Sequence, residues 1–391
     1  MSTEKTDQLK FRTRAIHVGN EVDAETGAVV PPIHMASTFQ QPGAGEWGEY
    51  DYSRSGNPTR AGLQRTLASL DSGCGALAYS SGMAAIHGVM MLLEQGQHVV
   101  AGCDLYGGAY RLLHKICSRS GIEVTLVDLT DLDAVRAAIR PETKLLWGET
   151  IGNPLLSIPD LKGLVAIAKE QDILFGVDNT FGTPALIRPL EMGVDIVMHS
   201  ATKYLGGHSD CLAGSIAVSD PDLFDRLYYI QNATGAVLDP MSCFLLSRGL
   251  KTLDLRVREQ TKTAGQLAAW LETVPGVRRV LYPGLESHPQ HALATSQFDG
   301  HGAIVCFEID GDFKQTAKTC KATELFRLAV SLGAVESLIE QPASMSHASY
   351  DPADRERFGI TDRLIRLSVG LEAVEDLQAD LLQAIKQGLA S

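Results

Sequence analysis

Val194–His208 reads VDIVMHSATKYLGGH, and the order of residue types in it decides how the rest of the chain is read. Val194–Met198 is apolar and β-branched, with Gly193 before it and small polar residues after it, which is the pattern of a short buried strand. Ser200, Ala201, Thr202 and Lys203 follow directly, then the pair Gly206-Gly207. Open α/β sheets bind their ligands at the carboxyl ends of strands, where a reactive lysine is well placed. Hydroxyls beside it suit a phosphate, and glycines let the backbone turn closely around a flat ligand. A second apolar stretch, Ile173–Thr180 (ILFGVDNT), ends in Asp178. One lysine to condense with an aldehyde, one acid to keep a pyridine nitrogen protonated and hydroxyls for a phosphate describe a pyridoxal 5′-phosphate (PLP) site.

Outward from that stretch, residues 61–220 alternate helical and strand patterns. Helical patterns at Ala61–Ser69, Met83–Leu93, Ala109–Ser118, Leu132–Ile139 and Leu161–Lys169 are interleaved with strand patterns at His98–Cys103, Ile122–Asp128, Leu145–Thr150, Ile173–Asp178 and Ile196–His199. This rhythm predicts an α/β fold with a mainly parallel sheet and crossover helices. Past residue 221 the pattern turns to α+β, with strands expected at Val277–Tyr282, Ala303–Ile309 and Leu364–Val369. The expected organisation is an irregular arm over 1–60, a large α/β domain over 61–248 and a smaller α+β domain over 249–391. The arm is rich in Pro, Gly and aromatics and ends in YDYSRSGNPTR (50–60), a segment expected to lie over another surface, such as a neighbouring subunit.

Composition narrows the function classes. The 391 residues are 45% hydrophobic and 21% charged, ordinary for a globular protein with a sizeable core. A net charge of −13 argues against a general binder of nucleic acid or anionic membrane. Seven cysteines without C-x-x-C or regular spacing suit free thiols in a reducing compartment. The charged start MSTEKTDQLKFRTR does not read as a secretory leader, and no apolar run is long enough to span a bilayer, so a cytoplasmic location is expected.

Four further motifs carry chemistry, each with a structural reading beside it. Tyr79–Ala85 (YSSGMAA) is a strand-to-helix turn whose N–H groups favour an anion, although an ordinary capped helix has the same pattern. Tyr106, on the glycine turn Asp104–Gly108, either stacks a planar ring and moves a proton or packs as a buried tip. Asn153, before Pro154, either hydrogen-bonds a ring oxygen or makes a structural turn. Arg366 is the one charge inside the apolar strand LIRLSV (364–369), so it either meets a protein carboxylate or clamps a substrate carboxylate. The histidines show no metal-ligand spacing, and the short cluster His208-Ser209-Asp210-Cys211 does not make one, so no metal site is expected. No G-x-G-x-x-G follows the early strands, which sets a nicotinamide dehydrogenase aside.

Taken together, YSRSGNPTR (52–60), SSGMAAI (80–86), DLYGG (104–108), DNTF (178–181), SATKY (200–204) and RLSVGLE (366–372) resemble the PLP-dependent trans-sulfuration enzymes, aspartate-aminotransferase-like in fold, in family order over nearly the whole chain. The resemblance implies Lys203 as the lysine that carries PLP, Asp178 as the partner of its pyridinium and Tyr106 stacked on its ring. It implies backbone N–H groups of Gly82 and Met83 and the hydroxyls of Ser200 and Thr202 on the phosphate, with Tyr52 and Arg54 reaching the phosphate of an adjacent subunit in a dimer or tetramer. Arg366, Asn153 and the backbone at Ser331 would hold the substrate carboxylate, Lys203 would move the Cα proton and Tyr106 would protonate the departing thiolate.

The implied substrate is a small sulfur-containing amino acid. Family branches acting at Cγ of cystathionine usually read Ala-Glu-Ser-Leu-Gly where this chain reads Ala329-Val330-Ser331-Leu332-Gly333. Val330 removes a carboxylate that would meet the distal ammonium and looks like methionine γ-lyase. Gly108, by contrast, looks like the cystathionine enzymes. The segment Glu149–Gly152 also departs from the family's Pro-Thr before Asn. The resemblance favours a cystathionine γ-lyase, with methionine γ-lyase next, then cystathionine γ-synthase or O-acylhomoserine sulfhydrylase. A PLP-fold protein without turnover is the reading from a different class, and the presence of Lys203, Tyr106 and Arg366 speaks against it.

Overall fold

The computed structural model describes residues 9–390. Its strands, in chain order, are β1 (Gly75–Tyr79), β2 (His98–Gly102), β3 (Glu123–Val127), β4 (Thr143–Glu149), β5 (Leu174–Asp178), β6 (Ile196–His199), β7 (Gly214–Val218), β8 (Val277–Leu281), β9 (Ile304–Ile309), β10 (Arg327–Leu328), β11 (Leu338–Glu340) and β12 (Leu364–Ser368). The described residues divide into two compact units, one holding those up to Leu93 with Arg188–Asp254, the other Glu94–Ile187 with those from Leu255 on.

In the first unit a helix at Phe11–His17 is followed by irregular chain, with Thr38 bridged to Tyr52. Helix Pro58–Asp71 starts where the Asn57 side chain accepts the N–H groups of Thr59 and Arg60 and Pro58 fills the first turn. Its Leu63, Leu67 and Leu70 lie on one face and are fully buried, each stabilising the unit by about 2 kcal/mol. Strand β7 lies between β1 and β6 and runs antiparallel to both. The sequence rhythm anticipates parallel strands here. The reversal follows because the chain between β6 and β7 returns through the loop bearing Lys203, without the crossover helix that parallel neighbours need. Helix Gly82–Met90 packs on β6 and β7 through Ile86, Val89 and Met90.

In the second unit β5, β4, β2 and β3 are neighbours in that order and all parallel. They are linked by helices Gly107–Lys115, Leu132–Ala138 and Leu161–Glu170. Strand β2 is buried along its whole length and β4 nearly so, as expected of parallel strands covered on both faces. The carboxyl ends of β2, β4 and β5 deliver Asp104, Glu149 and Asp178. A second sheet, ordered β10-β11-β12-β9-β8, is antiparallel except for the β10–β11 pair. Helices Phe313–Ala322 and Val374–Leu389 pack together, and Asp380 within the latter accepts the N–H groups of Glu324, Leu325 and Phe326. Among the described residues no helix is long and apolar enough to cross a membrane.

Candidate active site

Within the first unit, the turn Ser80–Gly82 meets the loop after β6. Ser81 caps helix Gly82–Met90, its hydroxyl accepting the Ala84 N–H at 3.0 Å. The N–H groups of Gly82 and Met83 take no acceptor among the described residues, as orphan donors of a first turn do. Gly82 is required by space. A Cβ there would stand 2.9 Å from Ser200 Cβ and 3.1 Å from Met198 Cε. Gly214 presses on the other side, where a Cβ would fall 2.2 Å from the Ser81 carbonyl oxygen. This tight seat presents two free donors, the positive end of a helix and the Ser200 side chain to one small volume, and an anion of phosphate size suits it. Thr202 faces back into the loop: its hydroxyl donates to the Ala213 carbonyl at 3.1 Å and accepts the Ala213 N–H at 2.9 Å. Lys203 is half-buried one residue on. Tyr52 and Arg54 lie in the irregular segment of the same unit, both exposed, with the guanidinium 5.8 Å from the Tyr52 ring centre.

Within the second unit, the strand ends gather acids. Glu149 and Asp178 are directly opposite in the β4–β5 register. Burial, with Asp178 beside it, raises the Glu149 carboxyl well above its usual range, against the pull of the Tyr106 N–H that it accepts at 2.7 Å. Asp104 is pushed up to about 6 by burial, opposed by the Ser157 hydroxyl and the N–H groups of Leu155 and Ser157. Its carboxylate closes over Gly152, where a Cβ would fall 2.1 Å from Oδ2, which accounts for glycine at that position. Tyr106 caps the helix Gly107–Lys115, with its side chain 41% exposed. The Thr180 N–H donates to Asp178 Oδ1 at 2.9 Å.

Arg366 lies across β12 from Glu340 on β11. Its Nη1 donates to Asn153 Oδ1 at 2.9 Å, and Nη2 donates to the Ser331 carbonyl at 3.0 Å and pairs with Glu340 Oε1 at 3.0 Å. Both charged side chains are nearly inaccessible, at 3% and 1% exposure. Arg366 Nε and Glu340 Oε2 are buried without a partner among the described residues. Ser331 holds its carbonyl in place with φ at 111°, a region that non-glycine residues rarely occupy. The Val330 side chain beside it is exposed. Of the two sequence readings of Arg366, a protein carboxylate is present, and the Asn153 amide and Ser331 carbonyl stand around the same guanidinium. Glu340 was not singled out from sequence, since a three-residue strand gives no register. Glu149 was quoted only as part of a strand end, since its meaning depends on the neighbouring strand.

The first unit thus offers a cradle for phosphate beside a lysine, and the second an acid at a strand end, a tyrosine and an arginine among fixed acceptors. These are the parts of a PLP enzyme of fold type I, and the glycine-lined seat with its free N–H groups fits the cofactor's phosphate. Comparison with known proteins agrees. The family described as Cys/Met metabolism PLP-dependent enzyme matches residues 12–386. A cystathionine beta-lyase of Bacillus subtilis (strain 168) is 49% identical over 96% of this chain and 96% of its own. A cystathionine gamma-lyase of the same strain is 48% identical over 97% of this chain and 100% of its own. The crystal structure of cystathionine gamma-lyase from Lactobacillus plantarum complexed with L-serine superposes with a TM-score of 0.95 at 43% identity, covering 98% of this chain and 100% of that one. The chain belongs to the Cys/Met metabolism family of PLP-dependent enzymes, and it is a lyase that takes amino-acid substrates.

Proposed function

We propose that this lyase is a cystathionine lyase. The observation that carries the reading is the buried guanidinium of Arg366 among Asn153, Ser331 and Glu340, a fixed planar donor suited to an α-carboxylate. When bound, PLP supplies an electron sink that lowers the energy of negative charge at the substrate Cα. Lys203 carries the cofactor and moves the Cα proton, Asp178 keeps the pyridine nitrogen protonated, and Tyr106 stacks on the ring and gives a proton to the departing thiolate. Gly82, Met83 and Ser200 hold the phosphate, while Thr202, which the resemblance assigns to the same task, braces the loop through Ala213. Tyr52 and Arg54, exposed in the segment before residue 60, serve the phosphate of an adjacent subunit, so the active unit is a dimer or a tetramer, in the cytoplasm. The described part of the 1–60 arm makes this contact, with 61–248 and 249–391 as the large and small domains of this reading.

Elimination at Cβ, giving homocysteine, pyruvate and ammonia, is the first reading. Its supports are the 49% identical beta-lyase and Val330 standing where the γ-acting branches carry glutamate. Elimination at Cγ, giving cysteine, 2-oxobutanoate and ammonia, is the reading drawn from sequence. It is supported by the 48% identical gamma-lyase and the Lactobacillus plantarum fold. The 2-oxo acid released from L-cystathionine separates the two, with methionine, homocysteine and acylhomoserines plus cysteine as parallel substrates. Pyruvate favours the first and 2-oxobutanoate the second. Turnover of methionine or of acylhomoserine alone would overturn both.

A further inference from the structure

The Arg366 guanidinium is tied to the loop bearing Tyr106 by a continuous buried network. Glu340 Oε1 accepts from Arg366 Nη2 and also from the Ser346 hydroxyl. Ser346 Oγ lies 2.9 Å from His347 Nδ1, and His347 Nε2 reaches the carbonyls of Asn153 at 2.9 Å and Leu105 at 3.3 Å. Tyr350 Oη donates to the same Leu105 carbonyl at 2.8 Å, and Ser349 Oγ to that of Gly107 at 3.2 Å. The residues on either side of Tyr106 are therefore gripped by the segment that begins at Glu340's own hydrogen-bond partner. Of the three acceptors around Arg366, Glu340 is the one that carries charge, and its path to the Tyr106 loop runs through Ser346 and His347, where it meets the Asn153 carbonyl.

We propose that Glu340 is a positioning residue: it fixes the plane of the Arg366 guanidinium for the substrate α-carboxylate and, through Ser346 and His347, keeps that plane in place relative to the Tyr106 loop. The inference rests on reading Arg366 as the carboxylate fork. Proton counting makes it specific. His347 Nε2 faces two carbonyls and must carry a proton, so in a neutral imidazole Nδ1 is bare and accepts from Ser346. The one Ser346 proton then faces two acceptors, Nδ1 and Glu340 Oε1, so a replacement at 340 must keep an oxygen at that point for the link to hold. A glutamine at 340 keeps one oxygen for both Arg366 Nη2 and the Ser346 hydroxyl and removes only the charge, so it is the conservative replacement. Alanine removes both contacts.

The test measures kcat and KM for L-cystathionine and the Ki of butyrate, a carboxylate without an amine that reports on the fork and not on cofactor chemistry. Glu340→Ala is expected to raise KM and Ki by about tenfold with kcat within about threefold, and Glu340→Gln to restore both to within about threefold of the parent. Arg366→Lys is the control. If it leaves KM and Ki unchanged, the fork reading itself fails. If it raises them while Glu340→Ala does not, or if Glu340→Ala lowers kcat alone, or Glu340→Gln is as impaired as Glu340→Ala, the positioning role is overturned. Should Glu340→Ala not fold, Ser346→Ala cuts the same network at its next link. A raised butyrate Ki there supports the proposal, and an unchanged one overturns it.

Discussion

At the start of helix Gly82–Met90 binding groups come from backbone and from small side chains, whereas across the β11–β12 pair they come from two charged side chains shut away from water. The first region is a matter of space. Gly82 is there because Ser200 and Met198 leave no room for a methyl group, and its donors are free because every helix leaves its first N–H groups free. The second is a matter of pairing. Arg366 is tolerable in a strand interior because Glu340, Asn153 and Ser331 answer it, and removing one partner leaves a buried charge uncompensated. The contrast teaches that free donors can be set in place by shape alone, while a buried cation needs charged and polar surroundings that hold it still.

The largest effect is expected at Lys203. Lys203→Ala should cut turnover by at least about 10³-fold while thermal unfolding stays cooperative and close to the parent, because the lysine serves chemistry and not packing. Activity near the parent's in a verified variant would remove the lysine from the reaction. Arg366→Lys comes next. A point charge in place of a planar fork should lower kcat/KM by about 10²-fold, mostly through KM, and a loss confined to kcat would contradict carboxylate binding. Gly82→Ala probes the backbone-built region: the added methyl should cost about 1–3 kcal/mol of stability and weaken PLP retention during dialysis. Unchanged retention would mean that this turn does not hold the phosphate. The smallest effect is on acid stability. Burial pushes His347 down to about 4, with Arg366 adding to the shift, and burial takes His288 to about 4 as well. Between pH 6.5 and 4 these rings are protonated in the unfolded chain and neutral in the fold. Stability is therefore fully present above 6.5 and falls on acidification, for His347 by up to about 1.4 kcal/mol per pH unit. Denaturant titrations of the parent and of His347→Gln across this window should show a shallower pH slope in the variant, and equal slopes would exclude His347 as a source.

The same contrast explains what could be read from sequence. SSGMAA and SATK are contiguous, and their residue types at a strand end or helix start already say what they present, so the glycine-lined turn with free N–H groups could be anticipated before any fold was known. Asp178 was visible as the end of an apolar strand, and Tyr106 as the residue on the glycine turn after β2, where it caps the next helix. Glu340 was not. It lies in a three-residue strand, and only antiparallel pairing with β12 sets it opposite Arg366. His347 sits in a loop whose composition suggests solvent, yet its ring is wholly buried because carbonyls from two distant turns converge on it. Strand β7 escaped because the rhythm of helices and strands does not announce a return without a helix. Local chemistry was visible from local sequence, and long-range electrostatics was not.

Ser331 shows what such a fork demands of the main chain. A backbone held at φ 111° by a residue with a side chain costs the fold on the order of 1–3 kcal/mol, and the carbonyl it aims lands on the guanidinium. A glycine at 331 would ease that conformation and let the oxygen wander. On the proposed reading of Arg366 as the carboxylate fork, selection for heat resistance alone would drift toward a sturdier protein with a duller sense of its substrate.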